Sequence, residues 1–284
     1  MYLNQRIRRA LRPAGKTAQA ILRWKRLTFH DAPPLFGNSK PKSGSHLLLQ
    51  VLAGICRVAP YKYVTAEPVR TIAKVGRRKG KDEILRELKQ IPRGVIGWGY
   101  VEATPENVAY LCQPGRVNYF IYRDPRDLLI SQVFFATDMY EDHGMHEFYK
   151  SLPDLEARLK VAITGIDQDG LYMVSVKQRY EGVFQWLEQK YVLCIRFEDL
   201  VENRDVTLSK MLDEVEKTGY QIPKRRQEAL SILLNAIQPE KSRTFRSGKT
   251  GGWKTYFNHE HKKLFKDVAG DLLVRLGYEK SNDW

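Results

Sequence analysis

The sequence predicts an α/β fold, three layers (α/β/α) around a mostly parallel central sheet. Three observations predict it. Four short runs, 35–37, 94–99, 117–122 and 191–196, are apolar, aromatic or β-branched and read as buried strands. Between them lie segments whose apolar residues recur at helical spacing, as in Leu47, Leu48, Val51, Leu52 and Ile55, or in Val176, Tyr180, Val183, Phe184 and Leu187. Strand and helix alternate along the chain, and such alternation implies crossover connections and therefore parallel strands.

The chain has 284 residues, 43% of them hydrophobic, enough to bury a sizeable core. Residues 31–284 are expected to form one domain behind a basic helical segment, 1–30. The net charge of +14 favours anionic partners: nucleic acid, an anionic membrane or a highly phosphorylated small molecule. The three cysteines, Cys56, Cys112 and Cys194, lie far apart, and their odd number argues against a disulfide framework and for a reducing compartment. The six histidines form no HExxH or comparable ligand set, so no metal is expected. No apolar run is long enough for a signal peptide or a membrane span, and a soluble, cytoplasmic protein is expected.

Residues 1–30 hold Arg6, Arg8, Arg9, Arg12, Lys16, Arg23, Lys25 and Arg26 and no acid, with Leu3, Ile7, Leu11, Ile21 and Leu22 near helical spacing. They read as a solvated basic helix leaning on the domain, or as a helix making weak membrane-surface or partner contact. Residues 33–52, PPLFGNSKPKSGSHLLLQVL, join a strand, a Gly/Ser/Lys turn and a helix opening at 43–45. Unpaired backbone N–H groups, the helix dipole and a lysine together make an anion site, read as a phosphate cradle.

Residues 60–93 are polar and punctuated by Pro68, Gly76, Gly80 and Pro92. Arg77, Arg78, Lys79 and Lys81 read as a solvated loop and 82–90 as a short amphipathic helix. The strand at 94–99 (GVIGWG) ends in small residues that permit close approach of a backbone or ligand. Thr104 caps the next helix, with Pro105 at its first position. The strand at 117–122 (VNYFIY) runs into RDPRDLLIS, where Asp124 suits an N-cap, Pro125 the first helical position and Asp127 the helix dipole. Arg123 thus sits at a strand's carboxyl end, the edge where open α/β sheets bind ligands, and Ser131 lies two turns along the helix. On these residues alone Arg123 reads equally well as a structural ion-pair partner and Ser131 as a surface serine.

Residues 138–170 read as loop and helix, with His143 and His146 near the start, and 172–190 as a helix. The last strand, YVLCIR, is followed by FEDL from Phe197, then by helices through Leu208, Met211, Leu212 and Val215 and over 224–237. Residues 245–257, FRSGKTGGWKTYF, form a Gly-rich basic loop whose Trp253, Tyr256 and Phe257 need a surface to pack on. An amphipathic helix over 259–277 closes the chain.

The opening turn is no Walker A motif, since GxxxxGK[ST] is missing and its lysine precedes the glycine. Three segments in order, PKSGSHLL, YRDPRDLLIS and FRSGKTGGWK, resemble the sulfotransferases of the cytosolic type that use 3′-phosphoadenosine 5′-phosphosulfate (PAPS); the FEDL segment resembles them too. The resemblance runs over about residues 33–257. It implies a phosphosulfate-binding loop resembling a P-loop, in which Lys42, Ser43, Gly44, Ser45 and His46 hold the 5′-phosphosulfate and Lys42 is catalytic. It implies that Arg123 and Ser131 bind the 3′-phosphate, that Arg246, Ser247 and Gly248 close over it, and that Phe197 joins the nucleotide site. The implied reaction is in-line transfer of a sulfuryl group from PAPS to a hydroxyl or nitrogen of a small-molecule acceptor, without metal. Such transfer needs positioning and charge stabilisation more than covalent participation.

The chain departs from the family pattern where a histidine base is usual: the matching place, after the strand at 94–99, holds Tyr100. A phenol of ordinary pKa near 10 is a poor base at neutral pH. Several alternatives stay open. Tyr100 acts with a lowered pKa beside Lys42; Glu102, His143 or His146 serves instead; the acceptor, as an acidic phenol or a nitrogen nucleophile, needs little help; or the chain is a catalytically impaired member. Leu47 stands where the family usually stacks an aromatic on adenine, Ser247 replaces a lysine, and no dimerisation signature follows Lys254, so oligomeric state is open. A lipid or glycan acceptor is the alternative within the family. A non-catalytic basic binder of nucleotide, nucleic acid or membrane explains the charge but leaves the three ordered segments unexplained, so no nucleic-acid partner is expected.

Overall fold

Six strands form one wholly parallel sheet in the computed structural model, which describes residues 15–24, 29–72, 77–168, 170–242 and 248–284. A helix over 15–23 (α1) precedes β1 (Leu35–Ser39), α2 (Ser45–Val58), β2 (Tyr63–Val64), β3 (Val69–Arg70), α3 (Lys81–Lys89), β4 (Val95–Tyr100), α4 (Pro105–Leu111), β5 (Val117–Tyr122) and α5 (Pro125–Phe134). A π-helical turn, Phe135–Met139, extends α5. Then come α6 (His146–Ser151), α7 (Leu155–Thr164), β6 (Ile166–Gln168), β7 (Leu171–Met173), α8 (Val176–Leu187), β8 (Leu193–Arg196), α9 (Phe197–Glu202) and α10 (Arg204–Glu216). The chain ends through α11 (Arg226–Ala236), a 3₁₀ turn (Pro239–Lys241), α12 (Trp253–Tyr256), α13 (His259–Ala269) and α14 (Leu272–Arg275).

The strand order is β2–β4–β1–β5–β8, with the short β3 also pairing along β4. Side chains of β5 show the two-sided burial of such a sheet. Val117, Tyr119 and Ile121 face the core beneath α2, α10 and α11, whereas Phe120 and Tyr122 face the core beneath α5, α7, α8 and α13. These are the three expected layers. The N-terminal segment meets the domain through Trp24, whose indole N–H donates to the carbonyl of Cys56 at 3.3 Å; residues 1–14 and 25–28 of that segment lie outside the described residues. Among the described residues, no helix is long and apolar enough to cross a membrane.

The structure corrects several expectations. Strand β1 continues to Ser39 because Asn38 is itself anchored: its amide donates to the carbonyl of Val101 at 2.8 Å and accepts the Val101 N–H at 2.9 Å. Residues 60–72, read only as polar and punctuated, contain β2 and β3, while Arg77 and Arg78 lie in an exposed loop where Arg77 pairs with Glu83 and Lys79 with Glu87. The stretch expected to be loop and helix up to 170 ends in an antiparallel ribbon, β6–β7, flanking Asp169 and Gly170 in sequence, a pair that favours tight turns. The helix expected from 172 begins at Val176, because Ser175 and Gln178 form a capping box.

Candidate active site

The site is built at the carboxyl ends of β1, β3, β4, β5 and β8. Leaving β1, the chain turns through Lys40 to Gly44 with the Ser43 N–H donating to the Lys40 carbonyl at 3.1 Å. Lys42 takes a left-handed conformation (φ 69°), uncommon for a residue with a side chain, and Gly44, the N-cap of α2, takes φ 98°. No side chain caps α2 and no acid lies in its first turn, so the positive end of the helix faces the cleft. Gly44 also has no room for a side chain, since a Cβ there would lie 2.5 Å from the Phe197 ring and 3.2 Å from Ile121. The Lys42 ammonium lies over the Phe135 ring, 3.9 Å from its centroid. Phe135 opens the π-helical turn, a distortion often found at functional sites.

Arg123 follows β5 and is buried at 8% exposure. Its guanidinium lies over the Phe197 ring at 4.3 Å, donates to the Lys249 carbonyl at 3.2 Å and approaches Asp127 at 3.8 Å. The Tyr180 hydroxyl donates to its backbone carbonyl at 2.6 Å. Asp124 caps α5 as the sequence suggested and pairs with Arg126 at 2.7 Å, and the Arg126 guanidinium stacks 3.8 Å from the Trp253 ring centroid. Asp127 has a role the sequence did not show: its carboxylate accepts the backbone N–H groups of Gly251 and Trp253, each at 2.8 Å. It thereby clamps the Gly-rich loop across Arg123, although burial pushes its pKa above the ordinary carboxylate value.

A cavity of about 940 Å³ joins these parts. The strand order divides it. On the side of β5 and β8 its wall includes Arg123, Ser131, Phe197, Arg204 and Gly248; on the side of β4 and β3 it includes Tyr100, Arg70 and Ile72; Phe135 and Tyr140, beyond the end of α5, line it too. Lys42, Gly44, Ser45 and His46 lie between, and Leu47 lines the wall as well. Ser43 is buried beneath the loop. Arg246 and Ser247 lie outside the described residues. Among the described residues no aspartate or glutamate lines the cavity. A second depression, about 480 Å³, lies at the opposite strand ends near Pro33, Arg116 and Tyr220 and carries none of these groups.

Of the four base candidates, only Tyr100 lines the cavity. It is positioned by the Asn38–Val101 pair just beyond it, and the Arg70 guanidinium lies 4.9 Å from its ring centroid. Glu102 is held in an ion pair by Arg78. His143 packs edge-on to Phe135 at 5.9 Å, and its Nδ1 accepts the Met145 N–H at 3.1 Å, an arrangement that leaves the neutral ring's proton on Nε2. Burial, then the Lys42 charge, lowers its pKa. His146 Nδ1 lies 2.8 Å from the Ala136 carbonyl, outside the cavity wall. His46 faces the cavity with its pKa lowered first by burial and then by Lys42. Sequence reasoning missed Arg70 and Arg204. Their places depend on a two-residue strand and on the start of a second helix, neither visible as periodicity.

The sulfotransferase-domain family model matches residues 119–277. Solved structures with a similar fold include a mouse sulfotransferase, SULT7A1, complexed with PAP (20% identity, 87% of each chain covered, TM-score 0.59). They also include retinol dehydratase with retinol and PAP (15% identity, 91% of this chain and 86% of that one, TM-score 0.55) and with androsterone and PAP (15%, 91% and 85%, 0.54). A comparison with curated proteins returns no match. With more than half of its residues matched by that model, on a similar fold, the chain belongs to the sulfotransferase family.

Proposed function

We propose that this sulfotransferase moves the sulfuryl group of PAPS in line to a hydroxyl or nitrogen of a small-molecule acceptor. One observation carries the reading: a single cavity joins a lysine and an uncapped helix N-terminus to Arg123 and Arg204 on one side and to Tyr100 and Arg70 on the other, with Phe135 and Tyr140 also on its wall. The buried atoms Arg123 Nε and Ser43 Oγ, without hydrogen-bond partners among the described residues, and the crowded Gly44 suit a phosphate-bearing nucleotide. The similar structures hold PAP, and those of retinol dehydratase hold retinol or androsterone, which supports a small-molecule acceptor.

In this reading the donor supplies the sulfuryl group, whose sulfur exchanges its bond to the bridging oxygen for one to the acceptor. The backbone N–H groups at Gly44, Ser45 and His46 hold the 5′-phosphate. Lys42 neutralises charge growing on the bridging oxygen. The Arg123 fork and the Ser131 hydroxyl hold the 3′-phosphate, with Gly248, Arg246 and Ser247 closing above. Tyr100 orients the acceptor's nucleophile, and with a phenol in place of an imidazole base, acidic acceptors react faster than alkanols. Residues 31–284 act as one domain, with 1–30 a basic segment that makes at most weak membrane contact. The three free cysteines fit a cytoplasmic location.

The test is transfer of labelled sulfate from PAPS to a panel of phenols by wild type and Lys42→Ala. Transfer by wild type and loss of at least 100-fold in the variant, with unchanged melting, is expected. Equal rates remove Lys42 from the chemistry.

A further inference from the structure

The acceptor half of the cavity carries a cation that sulfuryl transfer itself does not require. Arg70 lies on β3, opposite Tyr100 in the parallel ladder, so its guanidinium sits on the β4 side of Lys42, away from the Arg123 end. It covers the Tyr100 ring at 4.9 Å and lines the cavity. Its Nε is buried without a hydrogen-bond partner, and no carboxylate pairs with it among the described residues. An unpaired buried guanidinium N–H is costly and points to a missing acceptor group. The cavity is also aromatic: Phe135 and Tyr140, which stack with centroids 5.6 Å apart, and Tyr100 all line it. In the proposed reading the donor's negative charges are met by Lys42 and Arg123, with Arg204 on the same side of the cleft, which leaves Arg70 for something else.

We infer that the acceptor is an aromatic hydroxy acid, a phenol bearing a separate carboxylate, with the carboxylate bound by Arg70 and the ring taken up among the aromatic residues of the cavity wall, Tyr100, Phe135 and Tyr140. This rests on the sulfotransferase reading and narrows it. It also bears on the missing histidine. A phenol is acidic enough to attack with little help, and a fork-shaped cation on its carboxylate fixes the ring so that its hydroxyl meets the donor. In the step, the phenol oxygen bonds to sulfur, the sulfur–bridging oxygen bond breaks, PAP leaves with that oxygen, and the phenol proton is released.

The experiment compares three acids, 4-hydroxybenzoate, 4-hydroxyphenylacetate and 3-(4-hydroxyphenyl)propionate, with their methyl esters. Initial rates with PAPS are read alongside calorimetric binding to the PAP-loaded protein. At least one acid should exceed its ester by tenfold or more in kcat/KM and in affinity. In Arg70→Gln that ratio should collapse towards one, and Arg70→Lys should keep part of it. No preference in any wild-type pair overturns the inference. So does a preference that survives in Arg70→Gln, or an equal fall for acid and ester, which would place Arg70 on the sulfuryl group instead. PAP-induced stabilisation, measured on each protein beforehand, separates the two levels. A wild type that binds PAP but ignores the carboxylate sinks this inference alone, whereas one that does not bind PAP sinks the reading beneath it.

Discussion

Replacing Asp127 by alanine tests how the Gly-rich loop is held over the nucleotide site. The carboxylate accepts two backbone N–H groups at 2.8 Å, from Gly251 and the buried Trp253. Hydrogen bonds to a charged group contribute about 1.5–3 kcal/mol each, and an N–H left unsatisfied by the change costs about as much. Against this stands the desolvation of a carboxylate whose pKa is raised, with burial the largest cause, although Arg123 and both N–H groups pull the other way. The net loss on Asp127→Ala should therefore fall below the simple sum, at about 2–4 kcal/mol, read as a lower urea midpoint with an unchanged slope. Function should suffer in parallel. Gly248 lines the cavity three positions before Gly251, and Arg123 donates to Lys249 between them. Releasing the loop should weaken PAP binding by roughly tenfold, about 1.4 kcal/mol, by calorimetry. Asp127→Asn should fall between, because its amide offers one acceptor and turns a donor towards the second N–H. An Asp127→Ala protein that is within 0.5 kcal/mol of wild type (roughly the level of an inconsequential surface change) and that binds PAP equally well would refute the clamp.

Gly44→Ala should lose about 1–2 kcal/mol from its left-handed backbone alone. It should also drive Phe197, 2.5 Å from the new Cβ, out of place, with PAP affinity falling more than tenfold by calorimetry. His46 is held below its ordinary pKa by burial and by Lys42; a bound phosphate opposes that second cause and raises the pKa, so binding takes up a proton and PAP should bind more tightly as pH falls from 8 towards 6. The slope should flatten in His46→Asn, and an identical slope would remove His46 from the phosphate's surroundings. Among the base candidates Tyr100→Phe should lower kcat on phenols by about tenfold, below the roughly 100- to 10,000-fold of a full acid–base group because Tyr100 orients the nucleophile, with smaller losses for Glu102→Gln, His143→Ala and His146→Ala. A reversed order would move the base role elsewhere.

The parts of the fold legible in the sequence were those written in local patterns. Strands β1, β4, β5 and β8 of the central sheet announced themselves by apolar runs, α5 by Asp124 and Pro125, and the anion-binding turn by small residues around Lys42. What stayed hidden is set by pairings between distant parts of the chain. Strands β2 and β3 are two residues each and exist because β4 offers them a ladder, so no periodicity marks them. Arg70 reaches the cleft only through that pairing. Asp127 reads as a helix-dipole residue until the loop 124 positions later lands on it. Glu102 looked available for proton transfer because its partner Arg78 lies in a stretch that read as solvated loop. His143 and His146 follow a π-helical turn whose register spacing rules do not reveal, and only the fold shows that His143 packs on Phe135 and that neither lines the cavity.

The most direct test of the central claim, a cleft built for a nucleotide phosphorylated at both ends, is a melting experiment with PAP against AMP at equal concentration. Ligand at about 100 times its Kd stabilises the native state by about 2.7 kcal/mol, a rise of roughly 5 °C or more for a chain of this size. PAP should give that shift and AMP, which lacks the 3′-phosphate for Arg123 and Ser131, much less. Equal shifts, or no shift with PAP, would contradict the account.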